Sequence, residues 1–271
     1  MRVRRATGLM FLLLLGVILL ACSFPSLLTS YEPNAINFPD KFQQPGSLHW
    51  MGTDDFGRDV FTRVLYGGRV TIWSALIIAA GSTLIATLWA AVSSFSGGLF
   101  DELMTRFVDI LLVFPTLLFA LLLVSVLEPG MPSLALALVL VRWPGYARIL
   151  RGQIYTILDA EYLVAAEALG ATPLHTIRRH IIPNSMFLIL TLFGLNFGSS
   201  ILSISTLSFL GFGVQLPQAE WGAMIQAARP FLQTHPYLML FPGLAVMVTI
   251  LTVNLGIRLL EPSNVEGNAH I

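Results

Sequence analysis

The sequence predicts an all-α, polytopic membrane protein, and three observations carry that reading. Of the 271 residues, 55% are hydrophobic and 11% are charged, where soluble domains carry about 25% charged residues. Six stretches approach the roughly 20 apolar residues that a helix needs to cross a bilayer: residues 8–28, 71–95, 107–127, 132–150, 186–210 and 238–257. The second half of this apolar chain has one long polar, charge-bearing interruption, EYLVAAEALGATPLHTIRRHIIPN at 161–184.

The first stretch follows MRVRR and reaches Leu19-Leu20-Ala21-Cys22. That pattern also fits a lipoprotein signal, but the five spans that follow favour a first membrane helix. The second stretch follows a charge-dense segment, 52–69, with Asp54, Asp55, Arg58, Asp59, Arg63 and Arg69. This segment reads as a self-paired amphipathic helix that positions the second span, or as a surface for a substrate-delivering protein. The third begins with Arg106 and Asp109, three apart and read as a local interfacial ion pair. The fourth is the weakest, because Arg142 and Pro144 interrupt it. The fifth carries a stripe of Asn196, Ser199, Ser200 and Ser203 with Gly194 and Gly198. Small and polar residues at helical spacing suit tight helix packing or a wettable translocation path, with Asn196, Ser199 and Ser203 as path candidates. In the sixth, Asn254 reads as an interhelical hydrogen-bonding residue, and Trp221 in the loop before it reads as sitting at headgroup level.

Lys and Arg gather on the cytoplasmic side of membrane proteins. With both termini inside, ten of the fifteen basic residues fall inside: Arg2, Arg4, Arg5, Arg106, Arg142, Arg148, Arg151, Arg178, Arg179 and Arg258. Lys41, Arg58, Arg63, Arg69 and Arg229 fall outside. The long polar segment then lies in the cytoplasm. The expected organisation is an N-terminal helix (1–29), an external segment (30–69), a five-helix core (70–260) with a cytoplasmic loop at 155–184, and a cytoplasmic tail (261–271).

The long segment reads as a helix over 161–169 built from good helix formers, ended by Gly170. A second helix restarts with Thr172 as cap and Pro173 at its first position, carries Arg178 and Arg179, and ends before Pro183. Small residues on an exposed face let another surface approach, and flanking charges fix its register. The same features would also suit an amphipathic linker on anionic lipid.

This segment resembles the "EAA" coupling loop of ABC importer permeases at Ala165, Ala166, Gly170 and Pro183, with Val164 where the pattern has its leading glutamate. Four further blocks resemble the peptide/nickel branch of that family, and its C-type subunit in particular. They are MGTDDFGRDVFTRVLYGGRVT (51–71), GGLFDELMTRFVDILLVFP (97–115), WPGYARILRGQI (143–154), and LSFLGFGVQLPQAEWGAMI (207–225) with FPG (241–243). The chain departs at its end, where Asn254 to Leu260 lacks the family's acidic pair. The resemblance implies a type I (MetI-like) permease fold and a second, homologous permease. It also implies two ATP-binding subunits that carry ATP and Mg, an extracytoplasmic solute-binding protein, and alternating access in a bacterial cytoplasmic membrane. Ala165, Ala166, Glu167, Gly170, Arg178, Arg179 and Pro183 would form the ATPase-coupling loop. The cargo would be nickel, a metal chelate or short peptides, with a slight lean to nickel.

The residues themselves carry little chemistry. The only lysine is Lys41, so no P-loop can be built, and ATP hydrolysis falls to partner subunits. With one cysteine there is no cysteine cage, and of the histidines only His175 and His180 approach a pair. Net charge is zero, which gives nucleic acid no electrostatic purchase. No catalytic or metal site and no cofactor bound by this chain is expected. The competing reading, a stand-alone channel, secondary carrier or membrane enzyme, would want ionisable residues at mid-span, where this chain has few.

Overall fold

The computed structural model describes residues 2–160 and 172–260. Their helices are α1 (Arg2–Ser23), α2 (Val60–Ser96), α3 (Gly98–Leu112), α4 (Thr116–Val126), α5 (Met131–Leu158) and α6 (Pro173–Thr176). A π-helical turn (Ile177–Ile181) leads into α7 (Ile182–Phe209), followed by α8 (Trp221–Ala228) and α9 (Tyr237–Leu260). Among the described residues the β structure is an isolated bridge, Thr53 to Asp59. The protein is therefore all-α and polytopic. Among the described residues four helices are long and apolar enough to cross a membrane, and α3 with α4 makes a fifth if that bent pair is one span. The apolar part of α1, Thr7–Ser23, is shorter. The expected six spans thus correspond to four, or five, by length and composition.

The third expected span is broken. α3 and α4 meet at 84°, because Pro115 gives no N–H to the ladder and holds the residue before it out of helical geometry. The second span starts at Val60, not at residue 71. Asp59 caps it by accepting the Thr62 N–H at 2.7 Å, so the charged segment reaches the helix directly. The fifth span does not restart after Pro183 either. The Ile182 N–H reaches back to the Ile177 carbonyl, and this wide turn absorbs the donor that Pro183 lacks.

The chain divides into two compact units, one from Met1–Ala75 with Phe197–Ile271, the other Leu76–Asn196. In the first, α1 lies along α9, where Gly256 faces Phe11 and Leu12. In the second, Ala86, Ala90, Val108, Trp143, Ala147, Leu150, Ile154, Ile157, Ile181 and Leu192 make one buried cluster. Small alanines on α2 let the large side chains of α5 come close, including Trp143 against Trp89. Apolar side chains also face outward: Trp73, Ile77, Leu84 and Leu88 on α2 are each more than half exposed. A row of that kind, at spacings of about four and seven, is an apolar helix face open to lipid or to a partner helix.

Candidate functional site

The polar segment leaves α5 and returns through α6. Ala165, Ala166, Glu167 and Gly170 lie outside the described residues. At the return, Thr172 and Pro173 act as read from the sequence: α6 begins at Pro173, and the His175 N–H points to Thr172 Oγ1 at 3.4 Å. Arg178 and Arg179 are exposed and line a surface hollow with Thr172 and His175. His175 and His180 meet edge to face, ring centroids 6.2 Å apart. Pro183 follows the π-turn. Both roots of the segment are anchored in the same core, Ile157 at one end and Ile181 at the other.

A second polar node braces the outgoing root. Asp101 of α3 is buried. Its Oδ1 accepts Arg151 Nε at 2.9 Å and its Oδ2 accepts Arg151 Nη2 and, at 2.8 Å, the Tyr155 hydroxyl. Ser93 of α2 hydrogen-bonds the same carboxylate, and the Arg151 guanidinium lies 4.7 Å above the Tyr155 ring. Three helices are thus tied at one carboxylate, within two turns of the end of α5. The expected pair Arg106–Asp109 does not form. Arg106 donates to Glu102, one turn back, at 2.5 Å, while Asp109 is taken by Arg148 of α5. The long-range partner wins because α5 packs on α3, which spacing along one helix could not reveal.

The third node sits inside the helical layer. Asn196 is fully buried. Its Oδ1 accepts Arg142 Nε at 2.9 Å and its Nδ2 donates to Ser82 Oγ at 2.6 Å. The Ser82 hydroxyl in turn donates to the Ile78 carbonyl at 2.5 Å. Of the stripe on α7, Asn196, Ser200 and Ser203 are buried and Ser199 is half-buried. Arg142 lies within α5, as read from the sequence.

In the other unit the charges of the external segment bind one another. Arg58 Nε holds Asp54 at 2.7 Å, and Arg63, buried, reaches Asp54 at 3.5 Å and the Pro33 carbonyl at 2.7 Å. Burial, and then the neighbouring Asp54, raise the Asp55 pKa above its ordinary value. Of the expected amphipathic helix over 52–69, residues 52–59 form a loop and 60–69 form the start of α2. Glu220 and Trp221 are both buried, so Trp221 packs inside the protein. The Glu220 carboxylate caps α8 through the Gly222 and Ala223 N–H groups, at 3.0 and 2.9 Å, and takes the Thr71 hydroxyl at 2.9 Å. Trp221 Nε1 donates to the Val64 carbonyl at 2.8 Å. Gly68 makes room: a Cβ there would lie 2.5 Å from Cys22 Sγ and 2.6 Å from Trp221. On α7, Gly198 leaves space for Asn254 of α9, whose Oδ1 would be 3.0 Å from an added Cβ.

The family model for binding-protein-dependent transport system inner membrane components matches residues 70–265. The chain belongs to that family. It is a multi-pass inner-membrane permease of the peptide branch. It is 35% identical over 244 residues to the dipeptide transport system permease protein DppC of Alkalihalophilus pseudofirmus, covering 90% of this chain and 80% of that one. The probable D,D-dipeptide transport system permease protein DdpC of Escherichia coli is 37% identical over 250 residues, covering 91% and 84%. The oligopeptide transport system permease protein OppC of Bacillus subtilis is 35% identical over 243 residues, covering 90% and 80%.

Sequence reasoning missed the Asp101 node and the Arg142 relay of this permease. Asp101, Arg148 and Arg151 all stand in the blocks that carried the family resemblance. The signal was available in the cost of placing charge beside apolar spans, which makes each such residue a candidate for a specific partner.

Proposed function

We propose that this permease forms half of the transmembrane pathway of an ATP-driven importer of short peptides. A homologous second permease completes the pathway, two ATP-binding subunits hydrolyse ATP, and a solute-binding protein delivers cargo outside. Both termini lie in the cytoplasm. Residues 155–184 form the coupling loop, with Ala165, Ala166, Glu167, Gly170 and Pro183 in the docking element and Arg178 and Arg179 beside it. ATP-driven closure of the ATPases pushes on this loop, and the two permeases swing between inward and outward openings. The observation that carries the reading is likeness over nine-tenths of the chain to permeases named for dipeptides and oligopeptides. Those names favour short peptides over the nickel that the sequence motifs leaned toward. Two rooted ends in one apolar core support the coupling role, since a push on a loop is transmitted only if its attachments are stiff.

The test is ATP hydrolysis by the complex reconstituted with its partner subunits in lipid, with a dipeptide or a nickel chelate loaded on the binding protein. The dipeptide should raise hydrolysis, and Gly170→Asp should abolish that response in a complex that still assembles. A response to the nickel chelate alone would overturn the peptide assignment. No assembly with an ATPase would overturn the importer reading.

A further inference from the structure

We propose that the hollow between Tyr31, Trp50 and Phe61 holds the headgroup of an aminophospholipid, its ammonium set against Asp59 and its acyl chains lying along α1. Such a site would serve the permease whatever cargo it moves.

The carboxylate comes first. Asp59 caps α2 and is 5% exposed, yet it lines a hollow of about 170 Å³ together with Leu28, Ser30, Tyr31, Trp50 and Phe61. A single water needs only about 10–15 Å³. Donors converge on this carboxylate. Its Oδ1 accepts the Thr62 N–H and the Thr62 hydroxyl, both at 2.7 Å, and its Oδ2 accepts His49 Nδ1 at 2.9 Å. Because Thr62 gives its proton to Asp59, Thr29 is the donor in the 2.7 Å contact between the two threonine hydroxyls. Thr29 in turn accepts the Tyr31 N–H at 3.2 Å. A carboxylate has about four acceptor positions, so one stays open. Among the described residues Asp59 has no arginine or lysine partner, and its imidazole is shared with Asp40, 4.0 Å from Nε2. Two carboxylates against one imidazole are net negative in either protonation state of the ring. A buried negative charge without a full counter-charge is costly, and a bound cation relieves it.

The walls select an organic cation. The Trp50 and Phe61 rings stand 5.0 Å apart, and the Tyr31 ring lies 5.1 Å from His49. An ammonium bounded by aromatic faces gains cation–π attraction. A bare divalent ion wants about six or more oxygens, which a lining of leucine and aromatic side chains does not supply.

The surroundings select a lipid. Leu13, Val17, Leu20, Phe24 and Leu27 are each more than half exposed and follow one another at spacings of four and three. They form one apolar face of α1 and the turn after it, with the Phe24 N–H still bonded to the Leu20 carbonyl at 3.0 Å. The stripe rises about 21 Å, enough for the roughly 15 Å of hydrocarbon in one leaflet. It ends beside Leu28, which lines the hollow. At the rim, Ser30 and Trp50 are exposed, and among the described residues the hydroxyl of one and the indole N–H of the other have no protein partner. These are donors of the kind a lipid phosphate accepts from. A free dipeptide carries the ammonium but has no use for the stripe.

The test is native mass spectrometry of the full chain purified in mild detergent. Phosphatidylethanolamine, its N-acetylated form and phosphatidylglycerol, all with the same acyl chains, are offered in equal amounts. Wild type should retain phosphatidylethanolamine about fivefold or more over either competitor, because only it carries an ammonium. Asp59→Asn removes the charge but keeps the cap, since Asn caps about as well as Asp, and should bring retention down to that of the N-acetylated lipid. Trp50→Ala, at a side chain that is 66% exposed, removes one aromatic wall and should weaken retention several-fold with the melting temperature unchanged. Equal retention of the three lipids by wild type overturns the proposal, and so does an unchanged preference in either variant. If Asp59→Asn fails to fold, Trp50→Ala decides alone. Displacement of the lipid by excess Ala-Ala, but not by N-acetyl-Ala-Ala, would give the hollow to a free amine and overturn the lipid assignment.

Discussion

Arg151 grips both oxygens of Asp101, its Nε 2.9 Å from Oδ1 and its Nη2 on Oδ2. The same two helices are linked again by Arg148 and Asp109, but there both side chains are about half exposed, 58% and 49%, against 28% and 12% for Arg151 and Asp101. Identical chemistry is therefore placed in two environments. In the exposed one water competes for both charges, and such a pair contributes about 0–1 kcal/mol. In the buried one, loss of either partner strands the other, along with the Tyr155 and Ser93 hydroxyls that share the carboxylate.

Arg151→Gln should therefore destabilise the protein by about 2–3 kcal/mol, and Asp109→Asn by less than about 1 kcal/mol. Thermal unfolding of the purified complex in detergent reads the difference. Because the Asp101 node braces α5 close to the proposed coupling loop, Arg151→Gln should also reduce substrate-stimulated ATP hydrolysis at temperatures where the complex is fully folded. Equal melting shifts for the two variants would show that burial does not separate the pairs.

Gly68→Ala should cost about 1–3 kcal/mol by overpacking, since the new methyl would meet both Cys22 Sγ and Trp221. Sulfur is one of the two obstacles, so adding Cys22→Ala should recover part of the loss. The thermal midpoints of the two single variants and the double variant check this. A strictly additive double variant would mean that Cys22 is not what the methyl meets.

Glu220→Ala removes the cap of α8 and strands the buried Gly222 and Ala223 N–H groups, while the Thr71 hydroxyl keeps the Gly67 carbonyl as acceptor. A lost cap costs about 0.5–2 kcal/mol, so the variant, whose cap is buried, should lose roughly 1–2 kcal/mol. Glu220→Gln keeps one carbonyl oxygen and should lose about half of that. Chemical denaturation followed by Trp221 fluorescence suits the comparison, because Trp221 is packed beside the cap.

The helices were legible because lipid demands long apolar runs, and boundaries inside those runs were legible only where a proline or a cap marked them. Thr172 and Pro173 were read correctly from local chemistry. Pro115 is as visible as Pro173, yet its 84° break was missed because hydropathy is continuous across it. The start of α2 was missed for the opposite reason: Arg63 and Arg69 look like loop residues until Asp54 and the Pro33 carbonyl are seen to bury Arg63. Long-range pairs such as Asp101–Arg151 and Arg142–Asn196 join residues 50 and 54 positions apart. No periodicity within one helix encodes them, whereas Arg106–Glu102, at one turn, was open to local rules. The family motifs pointed to the right residues without showing what each one holds.

Arg178 and Arg179 should act on coupling without acting on the fold. Both are exposed beside Thr172 and His175, and surface substitutions of this kind change stability by about 0.5 kcal/mol or less. Charge reversal at both, Arg178→Glu with Arg179→Glu, should leave the melting temperature in place and lower peptide-stimulated ATP hydrolysis several-fold. The cause is open to direct test, because arginines at this position could face an ATPase or anionic lipid. Contact with the ATPase predicts the same loss in vesicles of purely zwitterionic lipid, and a wild-type rate that falls as salt screens the pair. Contact with lipid predicts that zwitterionic vesicles already slow the wild type to the level of the variant. The first pattern supports the coupling loop as a charged docking element. The second confines these two arginines to the membrane surface and leaves docking to the small-residue face of the loop.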